Sequence, residues 1–193
     1  WRETISPPYF LWVHLMDVHG PISTTPPEKK RWSEDRNIYL DFLRLKNNKW
    51  GLSSSEKKKF INAYDDAIRF ADEFIGKLKE DLSSDDPVFI VHADHGEEFW
   101  DHGGFGHISN LNLYEELIHV PFVVFNSDDE GRFESPISLI ELRNYILNEE
   151  NFGINNKDRF VTSKVFESNK RKISVRTKNW KLIKNSENNS ELY

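Results

Sequence analysis

The stretch from residue 53 to 82 constrains the fold more than any other part of the chain. Phe60, Tyr64, Ala67, Ala71, Phe74, Leu78 and Leu82 recur at steps of three or four, the spacing that lines one side of an α-helix. They follow "SSSE", in which Ser53 and Glu56 have capping-box spacing, so the start of the helix is marked as well as its face. This predicts a long amphipathic helix over 53–82. Directly behind it, "DDPVFIVHADHG" gives a turn and then the unbroken apolar run Val88, Phe89, Ile90, Val91, which fits a strand covered on both faces in a parallel sheet. The helix then reads as a crossover. The same alternation runs along the rest of the chain. "YFLWVHLMDVHGP" reads as a buried strand over 9–15 that enters a loop at 17–21, and "EKKRWSEDRNIYLDFLRLKNN" is a helix candidate. A short helix over 111–117 leads into "HVPFVVF", another buried strand, and "SPISLIELRNYILN" is a further helix with Pro136 at its start. The expectation is an α/β fold.

After residue 159 the rhythm changes to "RFVTSKVFE", "KISVRTK" and "WKLIKN", short alternating strands with a turn near Lys178 and Asn179. This predicts an antiparallel appendage over 159–193 behind an α/β portion over 1–158. With 193 residues, 37% hydrophobic and 13% aromatic, the chain can bury one real core. No apolar run approaches the roughly 18 residues that cross a bilayer, so no membrane span is expected in this segment. The absence of Cys removes disulfide and thiolate chemistry, and with it the usual clue to compartment. A net charge of −6 argues against nucleic acid; the basic clusters at Lys57 to Lys59 and over 164–184 read as solvated faces.

Chemistry concentrates at strand ends. "VHADHGEEFWDHGGFGH" places three His after Ala93, with Asp94 and Asp101, Glu97 and Glu98, and four Gly, directly behind the 88–91 run. Asp17 and His19 stand behind the 9–15 run in the same way. In open α/β sheets ligands collect outside the carboxyl ends of strands, so the two clusters are expected to converge. Asp94 offers an anionic oxygen and His95 an imidazole nitrogen, a mixed pair open to several divalent cations. Gly96 is read as the residue that lets the backbone turn so that both side chains address one ion. Asp-His-Gly by itself is a weak pattern.

Six ordered segments carry more weight: "HLMDVHGP", "AYDDAIRFADEFIGKL", "DDPVFIVHADHGEEFWDHGG", "LYEELIHVPFVVF", "SPISLIELRNYIL" and "SVRTKNWKLIKN" with its later "ELY". Together they resemble the C-terminal portion of the sulfatases of the alkaline phosphatase superfamily, over nearly the whole chain. The resemblance implies an alkaline-phosphatase-like sandwich, with a mostly parallel central sheet flanked by helices and a small C-terminal antiparallel subdomain. It implies that Asp94 and His95 are the second pair of ligands to one divalent cation, Ca2+ by expectation, with Mg2+, Mn2+ or Zn2+ as alternatives. It implies that His19 contacts the sulfuryl or phosphoryl group.

His107 departs from the pattern, because related hydrolases carry an oxyanion-binding lysine about this far beyond the aspartate. A protonated imidazole here would stabilise charge on the transferred group, and a neutral one would ligate a second metal. A loop histidine bonded to backbone is the third reading. Anion contact, a catalytic role, is the one carried forward. His102 is read as a loop histidine or a substrate-facing one, His14 and His92 as core histidines, and His119 as the residue leading into a strand. Glu97 and Glu98 are read either as carboxylates supporting the site or as ordinary solvated ones.

The family's mechanism also needs a nucleophile in a Cys/Ser-x-Pro-x-Arg motif and an acidic metal-binding pair, and neither occurs here. The chain is therefore expected to be part of a longer protein, with the missing N-terminal half supplying both. The expected function is that of a metal-dependent hydrolase cleaving sulfate esters of a small molecule or glycan. The alternatives are a phosphoryl-transferring relative, either a phosphonate or phosphodiester hydrolase or a head-group transferase, and a non-catalytic module.

Overall fold

A computed structural model describes residues 4, 6–20, 25–33, 52–107, 112–127, 130–147, 159–167 and 170–193. Most of the helix candidate over 28–48 lies outside them. The chain divides into two compact units, Trp1–Phe89 and Ile90–Tyr193.

The first unit is organised by α1, Ser54–Asp81. Its start is the capping box read from sequence: Ser53 Oγ accepts the Glu56 N–H at 3.3 Å, and Glu56 Oε2 accepts the Ser53 N–H at 2.8 Å. Two amide donors that a helix start leaves unmatched are thereby satisfied. Phe60, Ala63, Ala67, Ala71 and Leu82 are buried, while Phe74 near the far end is 45% exposed. The expected apolar face is therefore covered as far as Ala71 and again at Leu82, with Phe74 between them left exposed. The helix ends in a 3-10 turn, Ser83–Asp85, followed by Asp86 in the left-handed region and then Pro87, which cannot continue a helix.

One polar residue lies within the buried face. Asp66 is completely buried, and its carboxylate accepts the N–H of Arg31 at 2.7 Å, of Trp32 at 3.1 Å and of Ser33 at 2.8 Å, as well as the Ser33 hydroxyl at 2.7 Å. Burial alone would push this carboxyl up. The Ser33 hydroxyl and the three backbone N–H groups outweigh burial and hold the pKa below its ordinary value.

The strand expected over 9–15 does not form. The segment has no regular structure, and Phe10 and Trp12 are 74% and 77% exposed. Apolar continuity reports a surface that needs covering, whereas a strand also needs a partner ladder, and none pairs with this segment among the described residues.

In the second unit, β1 (Phe89–His92) pairs with β2 (Phe122–Phe125) in a two-stranded sheet. β1 is half-buried rather than covered on both faces. Before β2 stands α2, Glu115–Ile118, with Leu113 and Leu117 buried beneath it. The helix expected from Pro136 starts later, as a 3-10 turn at Leu139–Glu141 that continues into α3, Leu142–Ile146. Ser138 sets that start, because its N–H is accepted by Glu141 Oε1 at 3.4 Å.

The antiparallel strands are present as β3 (Val161–Glu167), β4 (Lys170–Arg176) and β5 (Lys181–Asn185), extended by an unanticipated β6, Ser190–Leu192. Their order in the sheet is β3-β4-β5-β6. The turn at Lys178 and Asn179 is closed by Thr177 N–H to the Trp180 carbonyl, 2.8 Å. Ser174 pairs with Ile183 and Arg176 with Lys181, so these four share a face. Ser174, Ile183 and Lys181 are buried, while Val175, Leu182 and Leu192 on the opposite face are exposed. The buried face is thus the more polar one, and its cations find partners in front of β2. Lys181 Nζ lies 2.8 Å and Arg176 Nε 3.5 Å from Glu115 Oε1, and Lys172 donates to Asn112 at 2.9 Å. The Lys181 contact is close but poorly aligned as a hydrogen bond, so charge carries it.

Candidate active site

The site is built on the exit from β1. Asp94 is exposed, and its Oδ1 accepts the His95 N–H at 3.0 Å. His95 Nδ1 donates to the Gly96 carbonyl at 3.0 Å. A carbonyl can only accept, so Nδ1 carries a proton, and in the neutral ring the lone pair is then on Nε2. His95 Nε2 lies 3.8 Å from Asp94 Oδ1. Two bonds of about 2.0–2.2 Å to one ion can span up to roughly 4.2 Å, so both atoms can reach the same cation. Among the described residues no group of three or more His, Asp or Glu is arranged to hold a metal. The spacing and chemistry of this donor pair fit two ligand positions of one divalent cation.

Gly96 has a different reason from the one expected. A Cβ here would lie 1.9 Å from the Glu116 carbonyl oxygen, and the Gly96 N–H donates to the Leu117 carbonyl at 2.9 Å. Glycine is required by the close approach of the backbone to α2, not by a turn that aims side chains.

Beyond Gly96 the chain closes on itself. Glu98 is completely buried, and its Oε1 accepts the N–H of Gly104 at 2.7 Å and of His102 at 3.2 Å. Its carbonyl accepts the Gly106 N–H at 2.9 Å. Phe99 and Phe105 form a bridge, and Trp100 stacks on Phe105 with ring centres 4.6 Å apart. This closed loop returns His107 to the start of the site. The His107 and His95 ring centres are 4.1 Å apart, and His107 Nδ1 lies 2.8 Å from Glu97 Oε2.

The two glutamates therefore divide the work: Glu98 faces inward and shapes the loop, while Glu97 holds His107. Neither is a solvated carboxylate. Sequence reasoning offered both readings of the pair, and the signal that separates them is the glycine spacing, since Gly104 and Gly106 supply N–H groups to Glu98 without side chains in the way.

The other histidines fall as follows. His102 stacks on Tyr114 at 3.7 Å and pairs with Glu116 Oε1 at 3.1 Å, so it anchors the loop. His119 pairs with Glu115 one helical turn back, at 3.3 Å. His14 and His92 are exposed, which overturns their reading as core histidines; each belongs to an apolar run that the structure covers less than expected. His19 belongs to the first unit, where its Nδ1 donates to the Gly20 carbonyl at 2.7 Å, the same tautomer as His95.

Burial alone would raise the Glu115 carboxyl, but the Lys181 ammonium, followed by Arg176 and His119, holds it below its ordinary value. That charge cluster ties α2 to β4 and β5, and through α2 it supports Gly96.

The family model described as Sulfatase matches residues 2–160. The chain belongs to the sulfatase family. Phosphoethanolamine transferase EptA of Helicobacter pylori is 27% identical over 121 residues, which are 60% of this chain and 21% of that protein. The structure of BT4656 in complex with its substrate D-glucosamine-2-N,6-O-disulfate matches with a TM-score of 0.56 at 18% identity, covering 82% of this chain and 39% of that one. At that identity the likeness shows the fold alone. It places this sulfatase-family chain in an alkaline-phosphatase-like α/β fold; among the described residues β1 and β2 form a two-stranded sheet. The chain spans well under half the length of either relative. No helix among the described residues is long and apolar enough to cross a membrane.

Proposed function

We propose that the complete protein is a metal-dependent sulfatase-like hydrolase that cleaves sulfate esters of a small molecule or glycan. The observation that carries this reading is the 3.8 Å separation of His95 Nε2 and Asp94 Oδ1, with the imidazole proton parked on Nδ1. Asp94 and His95 would hold one divalent cation, Ca2+ on the resemblance, with Mg2+, Mn2+ or Zn2+ as alternatives. When bound, such a cation polarises a sulfuryl or phosphoryl oxygen and offsets charge that builds up on it.

The chain's own residues do the rest. His19, whose Nδ1 donates to the Gly20 carbonyl, would contact an oxygen of the transferred group through Nε2–H in its protonated form. His107, held beside His95, meets the same group as an anion contact. The Glu98-closed loop keeps that imidazole in place without relying on the substrate. The missing N-terminal half of the protein supplies the nucleophile and the remaining ligands.

The likeness to a phosphoethanolamine transferase supports a second reading, transfer of a phosphoryl-linked group at the same site. Full-length protein assayed on paired aryl sulfate and aryl phosphate substrates separates the two. Sulfate turnover that a chelator abolishes and Asp94→Ala removes supports the first reading. Phosphoester turnover alone replaces it with the second, and chelator-resistant turnover of either ester sinks the metal site.

A further inference from the structure

The His107 ring is held by a group to which neither the family match nor the relatives assign a task. Glu97 Oε2 lies 2.8 Å from His107 Nδ1, with side-chain exposures of only 11% and 20%. The pair is local in geometry but not in sequence, because its members stand ten positions apart across a closed loop. That loop is fixed independently by Glu98, by the Phe99–Phe105 bridge and by Gly106. Gly106 has φ of +80°, and a Cβ there would come within 3.2 Å of Glu97 Oε1. A side chain at position 106 would therefore be strained by its backbone and would press on the carboxylate that holds His107.

We propose that Glu97 is a positioning residue for His107: its carboxylate accepts the Nδ1–H, sets the ring's plane beside His95 and the tautomer of the neutral ring, and leaves Nε2 as the atom that takes up a proton and donates it in a hydrogen bond to the anion. The proposal rests on His107 being the anion contact of the reaction. The physical case is that a carboxylate accepts and never donates when ionised, so the ring proton on that side is fixed at Nδ1. An imidazole without such a partner turns about its bonds and samples both tautomers. Groups that orient a site histidine through its far nitrogen are typically worth about 10–100-fold in activity. Glu97 touches no substrate in this scheme and acts only through the ring.

The test uses full-length protein selectively labelled with 15N-histidine, together with kinetics on aryl sulfate and aryl phosphate. The His107 signals are assigned by their loss in His107→Gln. In wild type the neutral ring is expected as the Nδ1–H tautomer. In Glu97→Ala it is expected to revert to the Nε2–H form, with kcat down by about 10–100-fold and with KM and bound cation unchanged. Glu97→Leu, which keeps bulk without an acceptor, serves the same purpose where alanine does not fold. Glu97→Gln, whose amide oxygen can still accept, is expected to keep the Nδ1–H tautomer and a kcat above that of Glu97→Ala. A wild-type ring in the Nε2–H form overturns the proposal, as does a Glu97→Ala or Glu97→Leu ring that stays Nδ1–H, or a tautomer change with kcat intact. A wild-type protein that turns over neither ester defeats the proposed activity instead, and the tautomer alone then upholds or overturns the assignment of Glu97.

Discussion

Gly96, Asp66 and Glu98 were each visible as letters but not for what they do, because each depends on a neighbour distant in sequence. Gly96 yields to the Glu116 carbonyl, Asp66 gathers the N–H groups of residues 31–33, and Glu98 closes a loop onto its own backbone. Gly96→Ala puts a methyl 1.9 Å from a backbone oxygen, and overpacking of this kind typically costs about 1–3 kcal/mol. Urea unfolding should show that loss. Gly76→Ala, in the middle of α1 with nothing within 4 Å, should instead stabilise by about 0.5–1 kcal/mol. Equal effects at the two glycines would refute the close-approach account. For Asp66, truncation to Asn removes one acceptor oxygen and the charge from buried donors, at about 1–3 kcal/mol. The folded pKa is depressed, so this stability is fully present above the unfolded value of about 3.9 and is lost as pH falls through the folded one. The gap in urea midpoint between wild type and Asp66→Asn should therefore be wide at neutral pH and shrink in acid; a constant gap would mean that the charge is not involved. The closeness of Asp94 and His95 was legible because the two sit next to each other in the chain. The Glu97–His107 contact was not, because it needs the loop to be closed first.

Among the elements, those specified locally were the ones legible in sequence. The start of α1 follows from Ser53 and Glu56 within one turn, and the turn at Lys178 and Asn179 follows from its own short loop. The segment over 9–15 was misread because an apolar run does not say what it pairs with, and β6 was missed because "SEL" carries no alternation to detect. α2 is the instructive case. At four residues it is far too short to stand by propensity, and it is held by Leu113 and Leu117 below and by Glu115 against Lys181 and Arg176. Glu115→Gln leaves the Lys181 ammonium, 2% exposed, without its counter-charge. Breaking a fully buried pair costs about 3–5 kcal/mol; the exposure of Glu115 screens the contact, so a loss of about 1–2 kcal/mol is expected. The Gly96 amide, bonded to the Leu117 carbonyl, should then exchange its proton faster, since it reports α2 directly. Unchanged exchange at Gly96 would show that the charge cluster does not support the site. The depressed Glu115 carboxyl adds a sign: the contribution holds above its unfolded pKa and fades as pH falls through the folded one.

At the scale of the molecule, the donors on this chain and the demands of the cation do not match, and that mismatch can be measured. A hard cation asks for six or more oxygen ligands, while the described residues bring together Asp94 and His95 and no larger group of metal-holding side chains. The chain also spans only 21% and 39% of the two relatives it matches, and the proposal takes the remaining ligands from sequence beyond these 193 residues. Two donors tethered on adjacent residues gain little over water, because most of the coordination shell stays hydrated and the carboxylate must still give up its own solvation. Residues 1–193 alone should then show no saturable Ca2+ binding by calorimetry in the micromolar range and no turnover of aryl sulfate or aryl phosphate. The full-length protein should show both, with Asp94→Ala abolishing the calorimetric signal. The controls differ in what they exclude. Tight Ca2+ binding by the 193-residue chain would mean that its own residues complete the shell, and the split site would be wrong. Turnover by that chain, retained after repurification, would mean that a nucleophile lies within it, since covalent catalysis needs one in place. Full-length protein that binds the cation but turns over neither ester would favour a binding module that keeps the metal pair without the chemistry.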